Sequence, residues 1–184
     1  MRILFFVFAI FGTPAFATDI CHDLWFTRNL IFDRAGYCFG SPLGQAVFDN
    51  GNCTTKSPAI SDKDAVIVTR IREREGGLGC SVDTKSAFLD VDLLPLRMRL
   101  VDIPIPDQFE SACIGYKEDV IVLFDGIALT ANPIAQVQPG DTLVFSYESL
   151  GNSNFVTLLR DGALAGLGWT DIPIAVNDCV QWAG

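Results

Sequence analysis

Six cysteines, a single histidine and a few tyrosines and tryptophans are the side chains of this 184-residue chain best equipped for chemistry. Cys21, Cys38, Cys53, Cys80, Cys113 and Cys179 form no C-x-x-C pair and no Cys/His zinc spacing, so neither a metal nor a cofactor is expected. An even number of cysteines behind an export-type leader points instead to disulfides.

Spacing narrows the pairing. Cys21 and Cys38 flank a segment with helical periodicity, and seventeen residues at 1.5 Å each hold them about 25 Å apart, beyond the roughly 7 Å a disulfide can span. A second short helix, Ser41 to Asn50, running back along the first, would return Cys53 to Cys21 and leave Cys38 for Cys80. The preferred set is therefore Cys21–Cys53, Cys38–Cys80 and Cys113–Cys179. The alternative exchanges the first two for Cys38–Cys53 and Cys21–Cys80.

His22 is the one candidate general base, and a hydrolase built on it would need an acidic partner such as Asp23 or Glu75. No catalytic constellation is recognisable, so no catalytic residue is assigned. Trp169, Tyr147 and Tyr116 are the candidate binding platform, because a partly exposed aromatic ring in a small β domain can stack on a sugar or a peptide. Gly77-Leu78-Gly79 lacks the strand and helix of a phosphate loop, and Asp90-Val91-Asp92 lacks the remaining calcium ligands.

Residues 1–17 carry Arg2, an apolar run from Ile3 to Phe11, and Ala15-Phe16-Ala17, the pattern of a secretory signal peptide. The run is about half the roughly 20 residues a membrane span needs, so no membrane insertion is expected after cleavage. Loss of Arg2 would leave twelve basic side chains against 22 acidic ones. Such an excess of negative charge disfavours nucleic acid and anionic lipid as partners. The cluster Arg70, Arg72, Arg74 alternates with Glu73 and Glu75 and reads as a solvated helix face.

The elements that must position these residues change character once. Helical stripes run through Leu24, Arg28, Ile31 and Ala35 up to Gly36, then from a Ser41-Pro42 start through Val47, then from Asp62 to Glu75 with Gly76-Gly77 as the stop. Strands are expected at Ala87 to Val91 and Leu96 to Val101, with Asp102 to Glu110, holding Pro104 and Pro106, as a linker. Further strands fit Val120 to Phe124, Thr142 to Tyr147, Phe155 to Arg160 and Leu164 to Trp169. Arg28 falls on an apolar stripe, where its donors would clamp the helix to the following turn and loop; recognition of a ligand carboxylate is the rival role. Asn29 is expected to satisfy loop backbone, and Asp33 with Arg34 to form a surface pair.

The stretch Leu24-Trp25-Phe26-Thr27-Arg28-Asn29 through Phe32-Asp33-Arg34-Ala35-Gly36-Tyr37-Cys38-Phe39 resembles the YARHG domain of exported bacterial proteins. It keeps Trp25, Arg28, Asn29, Gly36, Tyr37 and Phe39, while Ala35 stands where the motif histidine would be. The resemblance implies an extracytoplasmic module and little more. Val137-Gln138-Pro139-Gly140-Asp141-Thr142, Phe155-Val156-Thr157, Asp161-Gly162 and Gly166-Leu167-Gly168-Trp169 resemble bacterial SH3-like barrels of envelope proteins.

The reading is an α+β protein in four stretches. They are a signal peptide over 1–17, a disulfide-tied helical YARHG-like domain over 18–83, strands and a Pro-containing linker over 84–110, and an SH3-like small β-barrel over 111–184. The expected function is a periplasmic or secreted, non-catalytic binding or structural module of the cell envelope, with a cell-wall component or envelope protein as partner. A small hydrolase using His22 and a secreted inhibitor or immunity protein are the alternatives.

Overall fold

The computed structural model describes residues 19–184, so the leader assigned to 1–17 lies outside the described residues. The first helix, α1 (Ile20–Arg34), starts where the Asp19 carboxylate accepts the Cys21 amide at 2.8 Å. It stops at Gly36, whose φ of +82° opens the left-handed turn. A Cβ there would sit 2.5 Å from Thr54 Oγ1, so this turn accepts only glycine. Helix α2 (Pro42–Phe48) uses Ser41 as cap and proline in its first turn.

Helix α3 (Asp62–Leu78) begins at the Ser61 cap as the sequence predicts, but it runs through Gly76 and Gly77 and ends only at Gly79, φ +67°. Helical glycine costs only about 1 kcal/mol against alanine. The left-handed cap at Gly79 and the Cys80 amide bonded to Glu75 O define the true end.

The bridges are Cys21–Cys80, Cys38–Cys53 and Cys113–Cys179, with Cα separations of 5.3, 4.9 and 5.3 Å. The preferred Cys21–Cys53 and Cys38–Cys80 pairs are not formed. With only seven residues, α2 is about 10 Å long and cannot return the chain along the 15-residue α1. Cys53 therefore remains at the end of α1, where the Thr54 amide bonds to Gly36 O at 2.8 Å. The 17-residue α3 packs antiparallel on α1 and carries Cys80 to Cys21.

Neither Ala87 to Val91 nor Leu96 to Val101 is a strand. Leu89 and Val91 fill the helical core with Phe26, Leu30 and Leu43, and the next apolar residues form the single turn α4 (Leu94–Arg97). Alternating apolar residues here serve two cores: Leu94 and Met98 pack into the helical half, Leu93, Leu96 and Leu100 against the sheet. The Pro-containing segment is not a free linker. Ile105 is buried with Leu24 and Ile71, and Pro106 is the first residue of β1 (Pro106–Tyr116), a position that needs no ladder donor.

The other strands are β2 (Ile121–Phe124), β3 (Pro133–Val137), β4 (Thr142–Tyr147), β5 (Asn154–Arg160), β6 (Ala163–Thr170) and β7 (Cys179–Ala183). They form one antiparallel seven-stranded sheet in the order β3-β2-β6-β5-β4-β1-β7. The closed barrel expected from the SH3-like resemblance is replaced by an open sheet. The four strands read from the sequence beyond residue 119 are there as β2, β4, β5 and β6, but β1, β3 and β7 flank them and give the sheet two ends. One face still encloses a core, because Ile121, Leu123 and Val137 from one end meet Cys113 and Cys179 from the other. Phe155, Leu167 and Trp169 enter a second core beneath Leu100. Adjacent residues Phe155 and Val156 thus point to opposite faces, as the pleat requires.

Candidate functional site

The two halves meet around a buried charge. Arg97 sits on α4 inside an apolar run and is 1% exposed, a placement that needs compensating partners. Asp23 of α1 supplies them: Nη2 donates to Oδ1 at 2.6 Å and Nη1 to Oδ2 at 3.2 Å. The Tyr147 hydroxyl of β4 accepts from Arg97 Nη1 at 2.7 Å and donates to Asp23 Oδ2 at 2.6 Å. Thr27 Oγ1 lies 3.3 Å from both Arg97 Nη2 and Asp23 Oδ1.

The rings of Tyr147, Phe26 and Phe155 surround the guanidinium, with centres 5.0, 5.3 and 5.9 Å from Cζ. Burial works against the charge, but the Asp23 carboxylate, Tyr147 and their hydrogen bonds outweigh it and hold Arg97 above its ordinary range. Burial also pushes the Tyr147 phenol well above its usual value, so it stays a neutral donor.

Further clasps join the same halves. Arg70 and Arg74 of α3 both pair with Glu148, and Arg74 also donates to Pro106 O. The Arg72 guanidinium lies 6.0 Å from the Phe32 ring centre. Arg70 and Arg74 therefore reach across to the other half, while Arg72 stays on the helical half, and the exposed side chains of Arg70 and Arg72 keep the solvated face expected. Arg34 donates to the carbonyls of Met98, Leu100 and Val101, so it is not a simple surface partner of Asp33. Burial pushes the Asp33 carboxyl up, against the pull of Arg34.

Arg28 grips Glu75 through Nε at 3.0 Å and Nη2 at 3.1 Å, tying α1 to α3 and not to the following turn. Asn29 donates to Trp25 O within its own helix at 2.7 Å, and not to loop backbone. Trp25 is itself buried against Phe48, and Tyr37 stands edge-on to Phe39. Ala35, at the place of the motif histidine, is the C-cap of α1.

The expected aromatic platform is not assembled. Trp169 is 1% exposed with Nε1 donating to Asp102 O at 2.9 Å, and Tyr116 is 4% exposed with its hydroxyl donating to Asp119 O. Tyr147 is half-buried and committed to Asp23 and Arg97. Their apolar surface is already covered by core neighbours, which single-sequence spacing does not reveal.

The carboxylates a His22 hydrolase would use are committed, and so is one nitrogen of His22. His22 Nδ1 accepts the Asp90 amide at 3.1 Å, Asp23 is in the Arg97 cluster and Glu75 holds Arg28. Among the described residues no three His, Cys, Asp or Glu side chains come together as a metal cage. Sequence reading missed Arg97, although an arginine set between Leu93-Leu94-Pro95-Leu96 and Met98 was a usable signal of a buried pair.

Two cavities border this junction. One of about 270 Å³ lies over the sheet beside Tyr147 and carries Asp23, Asp92, Asp107 and Glu110 above an apolar floor. The larger, about 740 Å³, is a groove between the end of α1, one face of α3, the segment 101–105 and the loops at Ile127 and Leu150.

Residues 79–184 match the domain of unknown function DUF4453, and residues 10–76 match the YARHG domain. The second match begins within the stretch assigned to the leader. No curated protein and no solved structure matches the chain.

Proposed function

The chain belongs to the DUF4453 family, with a YARHG domain ahead of that domain, and from this premise we propose that it is an exported, non-catalytic binding module of the bacterial cell envelope. The leader-like residues 1–17 support export, as does the pairing of every cysteine among the described residues. Among those residues no helix is long and apolar enough to cross a membrane.

The observation that carries the binding reading is a contrast at the junction. Asp23 and Glu75 spend their carboxylates on Arg97 and Arg28 and His22 gives Nδ1 to the Asp90 amide, while the junction leaves a groove of about 740 Å³ in the size range of ligand sites. Oxidised protein immobilised through its C-terminus and exposed to envelope extract and peptidoglycan should retain a reproducible partner. Repeated empty captures, or hydrolysis of an ester, peptide or glycan substrate that His22→Ala abolishes, would overturn the reading. Fractionation of cells making the full chain should place it outside the cytoplasm with residues 1–17 removed.

A further inference from the structure

We propose that the groove between α1 and α3 takes a linear acyl chain carrying an anionic head, the class of long-chain carboxylates. This deepens the binding-module reading and rests on it. Along α3, Lys63, Val66, Ile67 and Arg70 share one stripe, so two cations flank two aliphatic side chains on the face that forms the groove wall. Ile31 and Ile105, 4% and 3% exposed, are the floor. Val66, Val101 and Ile127 form the lips at 61%, 60% and 44% exposure, a concentration of uncovered aliphatic surface on a strongly acidic chain.

What the lining lacks selects the occupant. No aromatic ring faces the groove, so nothing offers a sugar or a base a stacking surface. No side-chain amide or hydroxyl lines it either. A peptide laid there would need partners for its backbone N–H and C=O groups and would find only the charged side chains of Arg34, Lys63, Asp64, Arg70 and Asp102, whereas a methylene chain has none to satisfy.

The charges of the lining favour an anion by three cations, Arg34, Lys63 and Arg70, to two carboxylates, Asp64 and Asp102, which accept from Ser61 Oγ at 2.7 Å and from the Ile127 amide at 2.9 Å. Arg34 spends its donors on carbonyls. Lys63 makes no hydrogen bond or ion pair among the described residues, and Arg70, paired with Glu148, keeps its side chain 51% exposed.

Calorimetric titration of the disulfide-intact protein with dodecanoate below its micelle concentration tests this. Saturable one-to-one binding is expected, about tenfold weaker for decanoate because each methylene contributes about 0.8 kcal/mol. Dodecyltrimethylammonium, with the same tail and the opposite charge, should bind at least tenfold more weakly. Val66→Asp, at an exposed position that leaves the core intact, should abolish binding, and Lys63→Glu should weaken it about tenfold.

Binding that ignores chain length or head charge, or that survives Val66→Asp, overturns the proposal. If dodecanoate fails while an envelope protein is captured in a Val66-dependent way, the acyl occupant is wrong and the binding module stands. If both fail, both readings fall.

Discussion

Asp23 and Arg97, 74 residues apart, form a two-pronged ion pair between the domains of the two family matches, and both side chains are almost wholly buried. A buried pair of this kind returns little net stability against an apolar alternative, but removing one partner strands the other charge at a cost of about 3–5 kcal/mol. Arg97→Met should therefore lower the urea midpoint by an amount equivalent to about 3–5 kcal/mol. Asp23→Asn should be similarly damaging, and the double substitution should cost less than the two singles added together. Additive losses would mean that the pair is not coupled.

The same pair makes the two domains one folding unit. Asp23 and Thr27 come from the YARHG side, Arg97 and Tyr147 from the other, and Arg70 and Arg74 reach Glu148 across the same boundary. Heat or urea should unfold residues 18–184 in a single transition, coincident by circular dichroism and tryptophan fluorescence. A fragment covering 79–184 leaves Arg97 without Asp23 and should lack a cooperative transition. Two separated transitions would contradict this picture.

Three helices were legible because local residues mark them: Ser41 and Ser61 cap the starts of α2 and α3 and Gly36 turns the chain after α1, each acting on neighbours within four residues. The central strands were legible from alternation and turn residues. What escaped was non-local. Pro106 and Pro133 each open a strand, and β7 is placed by pairing with β1 and by the Cys113–Cys179 bridge, none of which shows in a window of ten residues. The junction was hidden for the same reason. Arg28, Arg34 and Arg74 look alike in sequence, yet one grips a neighbouring helix, one three carbonyls and one the start of β1 together with Glu148 just past β4.

The bridges differ in the loops they close. Mass-spectrometric mapping should return Cys21–Cys80, Cys38–Cys53 and Cys113–Cys179, and recovery of a Cys21–Cys53 peptide would refute the helix packing described above. The separations are 59 residues for Cys21–Cys80 and 15 for Cys38–Cys53. On the chain-entropy treatment these correspond to about 4 and about 3 kcal/mol. Replacing Cys21 and Cys80 together by serine should thus lower the melting temperature more than replacing Cys38 and Cys53. It also releases the end of α3 from α1, which adds to the difference.

Acid sensitivity should centre on Asp141. Its carboxylate receives Arg160 Nε and Nη2 at 2.9 and 2.8 Å and the Gln138 amide at 2.7 Å. These bonds, the arginine's first, pull its pKa below the ordinary carboxylate value despite burial. The unfolded chain therefore takes up this proton at higher pH than the folded one. The stabilisation is fully present above the unfolded value of about 3.9 and is lost as pH falls through the lower folded value. Urea midpoints measured from pH 6 down to pH 2.5 should fall steeply at the acid end for the native protein. Asp141→Asn should start from a lower midpoint at pH 6, because Arg160 and the Gln138 amide lose their charged acceptor, and it should show a shallower acid limb. An unchanged limb in the variant would assign the acid sensitivity to other carboxylates.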